Sequence, residues 1–315
     1  MFFFLSHIVM YIVLESRPDR MGANLSWYIM QIIYAHKRGW FIHYHGSDYD
    51  KSIFFMALRK FVDKYNYDLG ERLGSHDHHQ TEYMIEHSQQ DWPGNNMKVC
   101  RDIRCDLLSY FHTHLYDPIR AILDTLLIEH PDILRNISLD YKKLIAVHVR
   151  LDDVVIREPY DGCHSTDYYR SKLNKGNINI DLEEERLFFM QRGIHIQGWG
   201  RDYNTHDCQA PIPESTIESY ISKARRDYPD HNVVVVTSPV SEVSLPYPII
   251  KSTNPDTDLA ILSNANVVIC SKSLFCFSTL YFGKAVKRFI PMWGHIAGTG
   301  LSSKYDNNTD NVYLY

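Results

Sequence analysis

The sequence predicts an α/β protein with two halves, each a parallel β-sheet covered by helices. The chain opens with an apolar segment over residues 8–14, an amphipathic helical stripe over 24–37 and a second apolar segment over 40–44. This order is typical of a parallel sheet, because parallel neighbours need a crossover connection. The apolar run at 143–147 and the four valines within 232–237 are typical of strands buried on both faces. The pattern in both halves therefore predicts a doubly wound, Rossmann-type architecture.

The remaining elements follow from apolar periodicity and capping residues. Gly39 closes the first helix, and Ser215 precedes Glu218 by three residues, a pattern that starts a helix over 215–227. Further helices are predicted at 52–65, 81–88, 101–113, 118–129, 256–263 and 273–284, and further strands at 267–270 and 289–292. Strands therefore alternate with helices along most of the chain.

Length and charge narrow the class of protein. A chain of 315 residues with 44% hydrophobic content buries a substantial core, and we expect two domains, over 1–140 and 141–315. A net charge of −5 with interspersed signs argues against a broad nucleic-acid-binding surface. The 22 tyrosines and 17 histidines have amphipathic rings that suit a solvated carbohydrate cleft. The polar segment 161–213 is predicted to be inserted loop material.

Cysteine content and the start of the chain bear on the compartment. Six cysteines in a chain of this length do not form a disulfide framework. Cys270 and Cys276 lie in apolar segments and are expected to be buried, reduced thiols. The apolar start lacks a basic flank and is too short to span a bilayer, so it is predicted to be a buried strand. We therefore expect a soluble, cytoplasmic protein without a transmembrane segment.

The segment 148–152 carries the clearest chemical signal. It follows a buried strand directly, so Arg150 is expected at the edge of the sheet where parallel strands end. Ligands of open α/β sheets bind at this edge, and the planar fork of arginine matches phosphate oxygens. Alternate residues of a strand share a side, which groups His148 and Asp152 with Arg150. This pattern predicts an anion site, and an ordinary ion pair at the strand end is the alternative.

A second candidate site follows the strand at 267–270. Ser271 and Ser273 lie where this strand passes into the helix predicted over 273–284. Backbone N–H groups and the positive end of the dipole at a helix start favour phosphate. Either serine can instead serve as a plain helix cap, and the two roles are compatible.

Four segments, in order along the chain, carry a family resemblance. They are residues 20–28, 148–154, 163–169 and 258–273. Segment 148–154 resembles the H-x-R-R-x-D motif of the fucosyltransferase superfamily, closest to the α-1,2-fucosyltransferases, and 20–28 resembles its G-G-L-G-N-Q-L-F-Q-Y loop. Segment 258–273 is similar to its D-L-x-L-M-S…I-I-A-N-S-S-F-S-W-W segment. The chain departs from the family at Leu151, which replaces the second arginine, and in the F-S-W-W run.

The resemblance implies a GT-B-like fold, in which two Rossmann-type domains face each other across a cleft. It implies an inverting, metal-independent glycosyltransferase that transfers fucose from GDP-fucose to a carbohydrate acceptor, with the nucleotide sugar in the carboxyl-terminal half. The nucleotide sugar is a substrate, and no cofactor is expected. By position in the motifs, the donor-binding residues would be Gly22, Asn24, His148, Arg150, Asp258, Ser271 and Ser273. His148 and Asp258 would contact guanine, where a carboxylate can accept from both N1–H and the exocyclic amine.

Several alternatives stay open at this point. Asp152 shares the side of Arg150, whereas the family register favours Asp153 as the catalytic base. Asp258 can equally be a helix cap. Asp48 and Asp50 form a D-x-D pattern and residues 76–79 are rich in histidine, but neither predicts a metal site, because each lacks a second motif. A non-catalytic sugar-nucleotide- or carbohydrate-binding protein and a transferase for another nucleotide sugar are the other candidate functions.

Overall fold

The computed structural model describes residues 10–14, 16, 20–73, 84–86, 109–135, 137–151, 155–156, 195–196, 212, 214–291 and 312–314. The chain divides into two compact units, Met1–Pro131 and Asp132–Tyr315. The insertion over 161–213, apart from residues 195–196 and 212, and the histidine-rich segment 76–79 lie outside the described residues. Within the described residues, none of the helices combines the length and the apolarity needed to cross a membrane.

The first unit is a three-stranded parallel sheet with helices. Its elements are β1 (Met10–Leu14), α1 (Met21–Arg38), β2 (Phe41–Tyr44), α2 (Ile53–Leu73), β3 (Met84–Glu86) and α3 (Tyr116–Glu129). The strand order is β2-β1-β3, and both neighbours run parallel to the central β1. The helix α1 ends where Gly39 adopts φ 66°, and the backbone N–H groups that close this end donate to Ala35 and His36. The predicted opening strand–helix–strand unit and its glycine stop are confirmed.

The second unit contains a six-stranded parallel sheet. Its elements are β4 (Leu144–Val149), β5 (Val155–Ile156), β6 (His195–Ile196), α4 (Glu214–Asp227), β7 (Asn232–Thr237), β8 (Ile249–Lys251), α5 (Pro255–Asn264), β9 (Val267–Ile269), α6 (Leu274–Phe277), α7 (Thr279–Phe282), β10 (Lys287–Ile290) and β11 (Val312–Leu314). The strands β5 and β6 form a separate antiparallel pair. The order in the large sheet is β11-β10-β9-β4-β7-β8.

This order contains one change of direction. From the central β4 the chain builds outward through β7 and β8, returns to the other side of β4 as β9, and continues to β10 and β11. The two outward paths therefore meet between β4 and β9. We call this place the switch point, and it is where open α/β sheets bind ligands.

The core explains why these segments form strands. The sheet residues of β4 and β7 are buried almost throughout, as their continuous apolar runs predict. One face packs against α4 through an apolar cluster that includes Val147, Ile221 and Val235. Leu151 is partly buried against this same cluster. The helix α5 packs on β4 and β7 as well.

Two predicted elements are wrong. Residues 84–86 form a strand that pairs in parallel with β1, where the periodicity predicts a helix over 81–88. The helix predicted over 273–284 is two four-residue helices, α6 and α7, with Ser278 between them. The Ser278 hydroxyl donates to the carbonyl of Leu274, a back-bond that competes with continued helix. The strands β8 and β11 have three residues each and carry no periodicity long enough to predict them.

Candidate functional site at the switch point

Three of the predicted site residues of the second unit, His148, Arg150 and Ser271, lie where β4 and β9 end. The two strands pair in parallel, with Val147 opposite Ile269, so they end at the same edge of the sheet. Beyond this pair, β4 continues through His148 to Val149 and is followed by Arg150, while β9 passes into a loop. This loop, Cys270–Ser273, is called the switch-point loop below. Residues more than 120 positions apart in sequence therefore share one edge, as the hydrogen bonds between them show.

His148 connects the strand to the switch-point loop. Its ring Nδ1 lies 2.6 Å from the Ser271 hydroxyl oxygen, and the histidine is buried. Its ring also packs on Phe275, with the centroids 5.7 Å apart and the planes tilted by 36°. Hydrogen bond and ring contact together fix both the position and the rotation of the imidazole. The histidine is thus held rigidly at the ligand-binding edge of the sheet.

Arg150 is the first residue after β4 and is half-buried. Its guanidinium Nη1 donates to the backbone carbonyl of Lys272 at 3.4 Å. This contact brings the positive charge to the switch-point loop, where the sequence predicts it. A guanidinium presents five N–H donors in a planar fork, the geometry that matches phosphate oxygens.

The two serines have different roles. Ser271 bonds to His148, whereas the Ser273 hydroxyl accepts from the N–H of Phe275 and caps α6. The capping alternative is therefore confirmed for Ser273. Because α6 has only four residues, the helix dipole available to an anion here is smaller than that of the helix predicted over 273–284, and phosphate binding by these serines stays a prediction. Charge for an anion has to come from side chains instead.

Lys272 is a residue of the switch-point loop that the sequence analysis did not select. It is 3% exposed, and lysine is among the residue types that are almost never fully buried unless paired. Its carbonyl accepts from Arg150, so a second cationic residue lies next to the first. The available signal was a single lysine within the otherwise uncharged run 267–283.

Asp258 lies in the first part of α5 and does not cap this helix. The cap is Asn254, whose side chain accepts from the N–H of Asp256, and Pro255 occupies the first helical position. The Asn-Pro dipeptide is the signal that would have identified this cap. Among the described residues, no group donates to the buried Oδ1 of Asp258. Burial raises the pKa of this carboxyl group to about 7.

An unsatisfied buried acceptor in a native fold calls for a physical explanation, and a ligand that donates to it is one. The helix α5 follows β8 and packs on β4 and β7, so its first turn starts from the edge where these parallel strands end. Asp258 therefore belongs to the same edge of the sheet as the switch point. The buried Oδ1 of Asp258 could therefore accept from a nucleotide base, and this role stays a prediction.

The two donor-binding candidates of the first unit lie in a helix. Gly22 and Asn24 belong to the first turn of α1, which begins three residues before the predicted start, and both are buried. The Asn24 side chain donates to the carbonyl of Arg20 at 3.3 Å. The expected glycine loop at this place is therefore wrong. The turn does follow β1, so it begins at the ligand-binding edge of the first unit's own sheet.

The catalytic-base candidates Asp152 and Asp153 lie outside the described residues, and their roles stay predictions. Asp50 of the D-x-D pattern accepts from the Tyr44 hydroxyl at 2.8 Å. This contact explains Asp50 as part of the turn after β2. Within the described ranges, no three histidine, cysteine or acidic side chains are grouped closely enough to hold a metal ion.

The chain matches no protein-family model and no curated protein. Among solved structures it is similar to POFUT1 in complex with GDP, with a TM-score of 0.40 and 10% identity, over 90% of this chain and 97% of that chain. It is also similar to POFUT1 in complex with GDP-fucose, with a TM-score of 0.29 and 10% identity, over 98% and 73% of the two chains. The POFUT1 apo-form gives a TM-score of 0.29 and 11% identity, over 99% and 75%. TM-scores below 0.5 do not establish a shared fold.

Proposed function

We propose that this protein is a glycosyltransferase that binds a GDP-sugar, GDP-fucose, at the switch point of its second unit. In this proposal it transfers the sugar to a carbohydrate acceptor with inversion and without a metal ion. The observation that carries the proposal is the meeting of His148, Arg150 and Ser271 between β4 and β9. Open α/β sheets with this kind of strand order bind nucleotides at such a crevice.

The diphosphate is the leaving group, and it has to be stabilised as its bond to the sugar breaks. Arg150 can form charge-assisted hydrogen bonds of about 1.5–3 kcal/mol each with phosphate oxygens. Lys272, whose carbonyl accepts from Arg150, is proposed as a second cationic residue for the phosphates. In this proposal the two cationic residues offset most of the negative charge of the diphosphate, which a magnesium ion would otherwise balance. This reasoning supports the metal-independent form of the reaction.

Guanine recognition is assigned to Asp258. Its buried Oδ1 can accept from the guanine N1–H, and its other oxygen from the exocyclic amine. Uracil and adenine do not present two adjacent donors in this arrangement. Satisfying a buried acceptor contributes about 1–3 kcal/mol, which corresponds to roughly fivefold to 150-fold in affinity.

The transfer step also needs an acceptor site and a base. Following the family resemblance, we assign the acceptor to domain 1–140, with Gly22 and Asn24 near the donor, in a GT-B-like arrangement. Inversion requires a carboxylate on the face of the sugar opposite the leaving phosphate. Asp152 and Asp153 follow Arg150 directly in sequence and are the two candidates.

A nucleotide-binding series tests the proposal. We expect isothermal titration to show tighter binding of GDP than of UDP or ADP, and Asp258→Ala to remove this preference rather than weaken all three ligands equally. Equal affinity of the unaltered protein for UDP would move the donor away from a guanine nucleotide. Release of GDP from GDP-fucose in excess EDTA then tests metal independence, and loss of turnover that manganese restores would contradict it.

A second candidate function is a sugar-nucleotide-binding protein without transfer activity. The observation that favours it is Leu151, which packs against the apolar cluster at the position where the resembling family has a second arginine. Both functions predict GDP binding. Only the enzyme predicts that GDP-fucose is consumed, with or without an added glycan acceptor, so donor hydrolysis separates the two.

A further inference from the structure

Two thiols lie at the ends of the segment 270–276, which contains the switch-point loop. Cys270 directly follows β9, Cys276 lies in α6, and their sulfur atoms are 2.7 Å apart. Both residues are buried, with exposed fractions of 2% and 0%. A disulfide bond is about 2.05 Å long, so the sulfurs need to approach by less than about 1 Å to bond. The fold therefore holds the two sulfur atoms close enough for a disulfide to form after a small shift.

The segment between the two thiols is part of the candidate site. It contains Ser271, which bonds to His148, Lys272, whose carbonyl accepts from Arg150, and Ser273, which caps α6. A bond between the sulfurs would close a ring around these three residues. Because this bond would link the end of β9 to α6, the two elements could then no longer move apart.

We propose that Cys270 and Cys276 are an oxidation site, whose disulfide closes the switch-point loop and tightens nucleotide binding. The closure itself is independent of the function assigned above, whereas the effect on the nucleotide rests on it. A loop already held in its binding conformation loses less conformational freedom when the ligand arrives, and the affinity rises for this reason.

The oxidant in this proposal is a small-molecule disulfide such as oxidised glutathione. One cysteine thiolate attacks a glutathione sulfur, which forms a mixed disulfide and releases one glutathione thiolate. The second cysteine thiolate attacks the cysteine sulfur of that mixed disulfide, which forms the Cys270–Cys276 bond and releases the second glutathione. The two cysteine protons pass to the two released thiolates, so the protein loses two electrons and two protons.

Burial sets the rate of this exchange. Both sulfurs are shielded from solvent. Burial raises the pKa of the Cys276 thiol, and its hydrogen bond with Cys270 raises this pKa further. The reactive thiolate is therefore scarce while the two reduced thiols stay buried. Exchange requires a local opening, and the same shielding protects the disulfide from reductants once it has formed. Each redox form is expected to persist long enough to be isolated.

Peptide mapping tests the site. The full-length protein is incubated with oxidised or reduced glutathione a few degrees below its Tm, blocked with iodoacetamide and digested with trypsin without reduction. Because trypsin cleaves after Lys272, the two cysteines fall in separate peptides, 252–272 and 273–284. We expect these peptides to be linked in the oxidised sample and to separate after reduction. Alkylated Cys270 and Cys276, or links to other cysteines, would overturn the proposal.

Stability and binding complete the test. The oxidised form is expected to melt a few degrees higher, since the disulfide constrains the unfolded chain. Its Kd for GDP is expected to be at least about threefold lower than that of the reduced form. Cys270→Ala and Cys276→Ala should lose both responses to oxidised glutathione. Linked peptides with an unchanged Kd would overturn the coupling. Absence of GDP binding in both forms would contradict the proposed function but leave the disulfide standing.

Discussion

At the binding edge of the second unit's sheet, a side chain of β4 bonds to a side chain of the loop after β9, whereas at the edge of the first unit Asn24 bonds to the start of its own helix. His148 lies in β4 and Ser271 in the loop that follows β9, so the bond between them is possible only in the folded sheet. The bond from Asn24 to Arg20 spans four residues and needs only a helical turn.

This difference separates a preorganised site from a scaffold element. Side chains that bond across strands hold their geometry because the whole sheet has to move to release them. The bond from Asn24 to Arg20 stabilises the first turn of α1 and does not by itself join separate elements of the fold. The second unit therefore has the stronger claim to the chemistry, and the following variants test that claim.

The largest effect is expected for Arg150→Ala. Removing the guanidinium leaves the diphosphate without its main donor, and turnover should fall by roughly a hundredfold or more. The measurement is kcat for GDP release from GDP-fucose, with circular dichroism as the check on folding. Arg225→Ala, an exposed arginine on α4, is the matched control and should keep normal turnover. Near-normal turnover of a folded Arg150→Ala protein would remove this residue from the site.

Lys272→Met should act on the phosphates specifically. We expect the affinity for GDP to fall by about tenfold, the equivalent of one charge-assisted contact, while guanosine binds as before. Lys272→Arg should restore most of the affinity. Lys143→Met removes an exposed lysine at the opposite end of β4 and serves as the control. Equal losses for GDP and guanosine would show that Lys272 only supports the packing of the loop.

Asp258 predicts a pH dependence. Burial raises its pKa to about 7, and guanine requires the charged form, so guanosine affinity should increase roughly tenfold from pH 6 to pH 8. Asp258→Asn should bind more weakly and without this slope. Because the folded pKa lies above the usual 3.8, the folded state holds the proton more tightly, and stability falls as pH rises from about 4 to 7. Asp258→Asn should therefore melt higher than the unaltered protein at pH 8.

The smallest effect tests the first unit. Gly39 has φ 66°, where a Cβ costs about 1–2 kcal/mol, although no atom lies within 4 Å of that Cβ. Gly39→Ala should lower the stability of the protein by about this amount in urea titration. The Kd for GDP should not change, because Gly39 ends α1 in the first unit, whereas the proposed GDP site lies at the switch point of the second unit. A change in GDP affinity would show that the two units are coupled.

Local patterns in the sequence determined the elements that decide where the site is. The continuous apolar runs of β4 and β7 predict buried parallel strands, since such strands have no polar face. Arg150 follows the first of these runs, so its place at the binding edge was predictable from sequence alone. Gly39 ends α1 as predicted, because a helix end of this kind depends only on the local backbone, which takes the left-handed conformation at Gly39.

Tertiary structure decided which groups meet, because pairing over long separations leaves no local trace in the sequence. Residues 84–86 became a strand through pairing with β1, against their helical periodicity. The bond between His148 and Ser271 required β9 to return beside β4, and the same return buried Lys272. The approach of Cys270 to Cys276 required the turn into α6. Apolar runs predicted the central strands β4, β7 and β9, but the order of the strands in the sheet created the candidate site.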